Sequence, residues 1–529
     1  MQLLHRCGVE HNGPIRPRRK PLLHPLGGEV QKLWWREDSI TRCLFPTNLI
    51  QAFFINLFAM RAFNLRPLRA LLVVAVVALW ANAVHGISMP APKTSPRLVA
   101  ASTGAEDAGN SDVPTSVFNL AKTILGAGVL ALPSGVAAFS DTSLGLVPAS
   151  GLLVLMGIMS AYSFASIGHA CRLHDTRTFS DAWAKSVGPK YKVVISSVIT
   201  VKTFFACLAF SIIIGDSFSS IMKSFGLPQA LAARSNVILG LTSLVIFPLC
   251  MLKNMDALKY TSVLGLSGIT YCALFIATRF FDKSYRAGGR YFNDISAALR
   301  PSFGQQLPGS RPGHVVFVLI SMISTAFSAH YNAPKFWIDL KNKTPTRYNA
   351  VVATAFSFAV VIYMTVMWTG FLTFGGHSTG FILNNYSSRD QFATLARLAV
   401  GLAILFGYPL TFSALREGAF DLLRLPVTGD ARTQAVVPVT VTLLSVITAL
   451  ALVLKNLGIV VALSGALIGA TLIYFVPAVM NICNIRSKSA ASASRRQQVE
   501  LVANYGMALS GLAIAVIGVA TTLMGASGH

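Results

Sequence analysis

Charged residues are scarce in this chain, and acidic ones are scarcest: Asp and Glu number 20 of 529 residues, against 44 Lys and Arg. Only 12% of the residues are charged, 53% are hydrophobic, and the mean hydropathy is +0.59. A soluble globular protein carries about 25% charged residues, so the composition excludes that class. The apolar runs also lack the paired carboxylates and Cys/His pairs that enzymes use for acid–base or nucleophilic chemistry. The sequence therefore does not predict an enzyme.

Cysteine spacing excludes two further classes of site. The seven cysteines show no CxxC pair and no Cys/His spacing typical of a metal site. Neither a bound metal nor a disulfide framework is predicted, and we expect no cofactor.

Long apolar runs are what the chain has in abundance. A spanning helix needs about 20 apolar residues, and residues 113–525 supply eleven such runs. We predict an all-α multi-pass membrane protein with a lipid bilayer as its surroundings. The formal charge of +24 lies mostly in the N-terminal segment and the loops, so it indicates topology and not nucleic-acid binding. Loops after even-numbered spans are the basic ones, which places the start of span one in the cytosol.

The first 112 residues differ from the rest. Residues 1–59 are interpreted as a disordered extension of the gene model, because Met60 begins a basic, then apolar stretch that ends in Ala81-Asn82-Ala83. Residues 60–85 are therefore predicted to be a signal-like or targeting segment, with an ordinary first spanning helix as the alternative. Residues 86–112 are a predicted disordered linker. Such a segment is compatible with a vacuole-like endomembrane, the plasma membrane or a plastid envelope.

The first apolar run is interrupted near its centre. Gly126-Ala127-Gly128 and then Pro133 weaken the helix where lipid offers the backbone no hydrogen bonds. Broken helices of this kind build substrate sites in many transporters. Asn119 and Thr123 share one helical face just before the break. The alternative interpretation is a small-residue packing seam with Lys122 snorkelling to an interface.

Span six repeats the interruption. It begins at Val315, becomes small and polar through Ser324, Thr325 and Ser328, and reaches Pro334, which is predicted to end or kink it. Four ordinary helices separate the two broken ones, the pattern of two inverted five-helix repeats around a mid-membrane site. His330 is a candidate proton-coupling residue, with a hydrogen-bonded structural histidine as the alternative.

Ionisable residues inside the other apolar runs are few. Lys202, Asp216 and Arg397 are candidates for a charge pathway because each is costly in lipid, although all three lie close enough to span ends to snorkel. Of the three we select Asp216 as an ion-coupling candidate. Gly215-Asp216 is also predicted to interrupt span three.

These motifs resemble a known family. The stretch FNLAKTILGAGVLALP from Phe118 to Pro133, together with HYNAPKFWIDL from His330 to Leu340, is similar to the amino acid/auxin permease family, particularly its vacuolar and sodium-coupled neutral amino acid transporter branches. The resemblance implies a fold like that of the bacterial leucine transporter: eleven helices in a 5+5 inverted repeat with broken helices one and six.

The resemblance also implies a substrate and a site. The substrate is expected to be an amino acid whose carboxylate meets amides around Gly126 to Val129 and whose amine meets carbonyls around Ser324 to Ser328. The expected substrate-binding residues are Thr123, Gly126, Ala127, Gly128, Val129, Ser324, Thr325 and Ser328.

Energy coupling is the last expectation. In sodium-coupled relatives the position of Asn119 contributes to the ion site with a hydroxyl residue two before the proline of helix eight, and here that residue is Gly407. Because one sodium ligand is missing, a proton gradient is the favoured energy source, with Asn119, His330 and Asp216 as coupling residues. The alternative function is a membrane sensor that binds an amino acid and signals to a partner. No particular oligomeric state is predicted.

Overall fold

The computed structural model describes residues 109, 111–252, 261–304, 313–423, 430–488 and 494–527. The predictions for residues 1–59 and 60–85, and nearly all of 86–112, lie outside these ranges. Ser111, near the end of the predicted linker, joins the fold: its N–H donates to the Asp339 carbonyl at 2.9 Å, and its carbonyl accepts from the Lys341 N–H at 3.0 Å.

The described residues form a bundle of helices. The fourteen that we number are α1 (Val113–Ile124), α2 (Leu132–Phe139), α3 (Leu146–His174), α4 (Phe179–Val187), α5 (Lys192–Ser224), α6 (Arg234–Met251), α7 (Thr261–Phe281), α8 (Val316–Ala326), α9 (Ala333–Asp339), α10 (Pro345–Phe374), α11 (Gln391–Leu422), α12 (Asp430–Val453), α13 (Leu457–Ser487) and α14 (Arg495–Ser527).

Eleven spans result within the described ranges, as predicted. Nine are helical stretches long and apolar enough to cross a bilayer, the bent pair α1 and α2 is another, and the shorter apolar helix α7 completes the set. Span one is α1 with α2, span six is α8 with α9, and α4 is a short helix between spans two and three. The chain is an all-α multi-pass membrane protein.

Helix contacts show the two-repeat organisation directly. Spans one and six, two and seven, three and eight, and four and nine touch one another, so four of the five spans of the first repeat meet the counterpart that lies five further along. The cross-contacts follow the same rule: α1 packs on α10 as α9 packs on α3, and α13 packs on α5 as α7 packs on α11. Because five is an odd number of crossings, the second repeat is inverted relative to the first.

Span three corrects one prediction. Helix α5 runs without interruption through Gly215 and Asp216, so the expected break is absent. A Cβ at Gly215 would lie 2.5 Å from Ile238 Cγ1, which shows that this glycine allows α6 to approach α5 closely. The small residue serves packing, because neighbouring helices, not a cavity, cover it.

Glycines also press α8 against α13 and α14. A Cβ at Gly469 of α13 would lie 3.2 Å from Ser324 Cβ, and one at Gly518 of α14 would lie 2.5 Å from Ser321 Oγ. At Gly465 an added Cβ would overlap the Ser321 carbonyl. Helix α8, the first half of span six, is thus held closely on two sides, by its backbone against α13 and by the Ser321 side chain against α14.

Outside the spans, α4 is fixed by its N-cap and by an ion pair. Thr178 Oγ1 accepts from the Asp181 N–H at 3.1 Å. Lys192 Nζ lies 2.6 Å from Asp181 Oδ1, and hydrogen bonding to Lys192 lowers the pKa of the Asp181 carboxyl. This helix packs on α13 as well as on α3, so it ties spans two and ten together at the basic face.

Candidate functional site

Span one is broken where the sequence predicted it. Helix α1 ends at Ile124, Gly126 is extended (φ −100°, ψ −178°), and a 3₁₀ turn, Ala127–Ala131, leads into α2. The two halves meet at an angle of 44°. Pro133 lies in the first turn of α2, where a missing N–H costs nothing. The proline therefore begins the second half-helix.

Span six is broken in the same manner. Helix α8 ends at Ala326, residues 327–329 are not helical, and the 3₁₀ turn His330–Asn332 precedes α9. Pro334 lies in the first turn of α9. The prediction that Pro334 ends or kinks span six was wrong in position, because the helix already breaks at residues 327–329 and the proline begins the second half-helix.

The two breaks face each other. A Cβ at Gly128 would lie 3.5 Å from Ala326 Cα. Tyr363 of α10 places its hydroxyl 2.8 Å from the Ile124 carbonyl and 2.7 Å from the Ala326 carbonyl. The last carbonyls of a helix lack intrahelical partners, and here both half-helices direct a carbonyl at the same phenol; the Ile124 carbonyl also accepts from the Gly126 N–H at 2.8 Å. Spans one and six are thus joined at the level of their breaks.

A cavity of about 350 Å³ borders the breaks, and α5, α7, α11 and α13 complete its wall. Five of the predicted substrate residues line it: Thr123, Gly126, Gly128, Thr325 and Ser328. Lys122 and Lys202 line it too, and Lys202 Nζ lies 4.1 Å from the centre of the Tyr331 ring. The cavity combines apolar walls with a few convergent polar groups, as small-molecule sites do.

Three other predicted substrate residues are placed differently. Val129 is fully buried and Ser324 is buried with its Oγ donating to the Ile320 carbonyl at 2.9 Å, and neither lines the cavity. The side chain of Ala127 lies outside the described part. Successive residues of a helical turn point in different directions. A continuous stretch of predicted site residues therefore includes some whose side chains face away from the cavity.

The ion-coupling candidates do not come together. Asn119 is exposed and outside the lining of the cavity. His330 is buried, with Nε2 2.8 Å from Ser163 Oγ and 2.9 Å from the Ser160 carbonyl. Asp216 accepts from Arg234 Nε at 2.6 Å and from Asn384 Nδ2 at 2.9 Å.

A second cavity of about 760 Å³ lies on the other side of the breaks. Its wall includes Asp216, Asn384 and Met322, and Leu457 lines both cavities. The first cavity lies toward the basic loops, because Lys122 belongs to α1, the half of span one that begins at that face, and Lys202 belongs to the first half of α5. Leu457 therefore forms part of the wall between the two cavities.

Gly407 leaves open space in the first cavity. It lines the wall, and a Cβ added there would meet nothing within 4 Å. A hydroxyl side chain at this position would have pointed into the space. No three of the described His, Cys, Asp and Glu side chains are close enough together to hold a metal ion.

Tyr363 was missed by the sequence reasoning. It lies inside the apolar run of span seven, where nothing distinguishes it from an aromatic residue that packs. Its partner Ile124 is 239 residues away, so no local pattern could have indicated the contact. Lys202 was detectable, because a lysine within an apolar run is costly.

The comparison with known families decides the class. Residues 109–524 match the model described as "Transmembrane amino acid transporter protein". The chain belongs to this family. It is a transport protein and not an enzyme, and the resemblance inferred from the motifs of spans one and six is confirmed.

Curated relatives carry transporter names. The chain is 28% identical over 371 residues to "Vacuolar amino acid transporter 5" of Schizosaccharomyces pombe, covering 70% of this chain and 83% of that one. It is 27% identical over 404 residues to "Sodium-coupled neutral amino acid transporter 7" of Mus musculus, covering 73% and 82%. Among solved structures, the inward-facing conformation of Mhp1 is similar with a TM-score of 0.48 at 12% identity, covering 80% of this transporter and 94% of Mhp1.

Proposed function

We propose that the protein is a secondary active transporter that moves an amino acid by alternating access. The observation that carries this proposal is the cavity at which the breaks of spans one and six meet. A broken helix at mid-membrane is tolerated where its backbone groups face protein or a cavity, and such breaks supply donors and acceptors for substrate.

Backbone groups at the breaks suit the two ends of an amino acid. The amide of Gly128 lies at the start of a 3₁₀ turn, where N–H groups lack helical partners and the dipole favours an anion. The carbonyls at the end of α8 carry the opposite dipole end. The proposal assigns the carboxylate to the first and the amine to the second, with Thr123, Thr325 and Ser328 on the wall beside them.

The two cavities support alternating access. They lie on opposite sides of the breaks and share Leu457 as a wall residue. A small rearrangement of the half-helices would transfer the substrate site from one cavity to the other. Hinge motion at a few element-terminal residues is the usual way to do this, and residues 125–127 and 327–329 are such residues.

A proton gradient is the proposed energy source. Gly407 offers no hydroxyl ligand to sodium. His330, in contrast, lies directly after the break of span six, two residues beyond Ser328, which lines the cavity. An imidazole is the side chain best suited to change charge near neutral pH. Movement of α9 would alter its contacts with Ser163 and Ser160 of α3.

Purified protein in liposomes tests the proposal. Uptake of a panel of radiolabelled amino acids is measured with an imposed pH gradient, with a sodium gradient, and with neither. Accumulation driven by pH alone is expected. Accumulation that needs sodium and ignores pH would overturn the proton proposal, and binding without flux would favour the sensor function.

His330→Gln isolates the coupling residue. We expect this variant to lose pH-driven accumulation while keeping exchange of labelled for unlabelled substrate, because exchange needs no net proton movement. His377→Gln is the matched control, since His377 is exposed in the loop before α11. If His330→Gln accumulates substrate normally, the histidine has only a structural role.

A further inference from the structure

The charges that line the first cavity all have one sign. Lys122 of α1 and Lys202 of α5 contribute ammonium groups, and the other described wall residues are uncharged, with no Asp or Glu among them. The two lysines come from different spans, 80 positions apart in the sequence. The substrate cavity is therefore electropositive.

Neither ammonium group has an acidic partner in the described part of the chain. No described carboxylate lies within 4 Å of Lys122 or Lys202, whereas Lys192 does form an ion pair, with Asp181. Lys202 instead rests over the Tyr331 ring. A ring face stabilises a cation less than a carboxylate does at such a site. The ammonium group of Lys202 can therefore still form an ion pair with a negative group of a bound substrate.

The positive charges of the two lysines are stabilised by the protein to different extents. Lys122 lies in the last turn of α1, where the negative end of the helix dipole favours a cation. Lys202 lies within the long helix α5, away from either end, and receives no such help. Lys202 is thus the group that gains most from a negative partner.

We propose that the transported amino acid carries a second carboxylate in its side chain, and that Lys202 binds that carboxylate. This inference rests on the proposed function, because it assigns a substrate class to the same cavity. A neutral amino acid has no net charge and would leave both ammonium groups uncompensated. An acidic amino acid has one net negative charge and compensates one of them in a site of low dielectric.

The test uses substrates that differ in charge and hardly in shape. Liposomes with the full-length protein receive L-glutamate or L-glutamine, and L-aspartate or L-asparagine, and kcat/KM is measured for each. The variants are Lys202→Met, which keeps the length of the side chain, Lys202→Arg, which keeps its charge, and Lys223→Met, an exposed lysine of the same helix outside the cavity.

The acid is expected to exceed its amide in the unaltered protein. Lys202→Met is expected to lower the glutamate-to-glutamine ratio by about tenfold or more, because one favourable charge pair is lost, whereas Lys202→Arg and Lys223→Met preserve it. A ratio that favours glutamine in the unaltered protein, or one that Lys202→Met leaves unchanged, overturns the inference while leaving amino acid transport intact.

A binding measurement separates the two proposals. If no amino acid is transported at all, the proposed function fails. Thermal stabilisation by ligands in detergent then still tests whether the cavity prefers an acidic amino acid. Greater stabilisation by glutamate than by glutamine, lost in Lys202→Met, supports the inference. Equal stabilisation by both ligands overturns it.

Discussion

At the scale of single residues, the hydroxyl of Tyr363 is the side-chain group that contacts both breaks. It is fully buried and contacts the terminal carbonyls of α1 and α8. A buried carbonyl without a donor costs about 1–3 kcal/mol. The single hydroxyl proton of Tyr363 serves one of the two carbonyls at a time, and the Ile124 carbonyl also accepts from the Gly126 N–H at 2.8 Å. Removal of the Tyr363 hydroxyl should therefore affect transport through the geometry of the breaks.

We predict that Tyr363→Phe lowers uptake severalfold and lowers thermal stability in detergent by about 1 kcal/mol. Tyr348→Phe is the control, because Tyr348 is also buried and donates to a carbonyl, that of Ala333 at 3.2 Å, without touching either break. Both variants should lose similar stability, and only Tyr363→Phe should lose most of its uptake. Equal uptake by the two would show that the phenol is only structural.

Glycines at the first break give a second prediction. A Cβ at Gly126 would face the cavity, with only the Ile124 carbonyl near it at 4.0 Å, whereas one at Gly128 would touch Ala326 and Thr325 at ordinary contact distance. Gly128→Ala should therefore still transport. Gly126→Leu and Gly128→Leu should abolish uptake, the first by filling the cavity and the second by displacing α8.

Gly151→Leu is the matched control for these variants, since a Cβ at that exposed position of α3 meets nothing within 4 Å. Uptake and chromatographic homogeneity in detergent are measured for all four. Normal uptake by Gly128→Leu would mean that substrate does not approach this break.

At the scale of elements, a buried charge network holds the loop between spans seven and eight. Asp390 is the N-cap of α11 and accepts from Arg279 Nε at 2.8 Å, Arg279 Nη2 at 2.7 Å and the Tyr285 hydroxyl at 3.0 Å. Arg397 is buried and donates to the carbonyls of Leu383, Tyr386 and Ser387. Arg397 therefore fixes loop backbone, which gives it a structural role in place of a charge pathway.

Asp390→Asn should destabilise the protein by about 2 kcal/mol, because it removes the buried carboxylate from Arg279 and leaves only the partly exposed pair with Asp282 at 2.6 Å. Arg389→Met is the control: its pair with Asp294 is 80% exposed on the arginine side, and such pairs contribute about 0–1 kcal/mol. Thermal denaturation in detergent compares the two. Similar midpoints for both variants would contradict a stabilising role for the buried network.

Local sequence predicted the breaks well and their surroundings poorly. Gly126 and Gly128 interrupt span one, and the small, polar residues of span six lead up to its break. Such breaks can be predicted because the backbone freedom of glycine and the missing N–H of proline weaken a helix at their own positions in the sequence. Gly215 was misjudged as a break because its role depends on Ile238 of another helix. The contacts of Tyr363 and the lining by Lys202 likewise depend on which spans meet, which periodicity does not encode.

At the scale of the whole molecule, the two cavities should be reached from opposite faces. Gly407 lines the cavity nearer the basic loops, and Thr379 lines the other. In the described part of the chain, four cysteines are buried and Cys483 is half-buried. Once Cys7, Cys43 and Cys483 are replaced by serine, labelling by a thiol reagent therefore reports on an introduced cysteine.

We predict that Gly407→Cys reacts with a membrane-impermeant maleimide added on the face of the basic loops, and that Thr379→Cys reacts from the opposite face. Substrate should protect Gly407→Cys, because the cavity is then occupied. Labelling is measured in oriented vesicles, with Gly151→Cys as a lipid-facing control. Reaction of both cysteines from a single face would contradict the predicted arrangement.

Gly465, Gly469 and Gly518 have a mechanical consequence for span six. Because Gly465 and Gly469 of α13 lie against the backbone of α8 and Gly518 of α14 lies against the Ser321 side chain, we expect α8 to tilt only together with α13 and α14. We therefore expect α8 to stay stationary during a transport cycle while α1 and α9 swing around it. A larger side chain at any of these three glycines would push α8 away from α13 or α14. Helix α8 would then move together with α1 and α9 and would no longer hold one side of the substrate cavity in place.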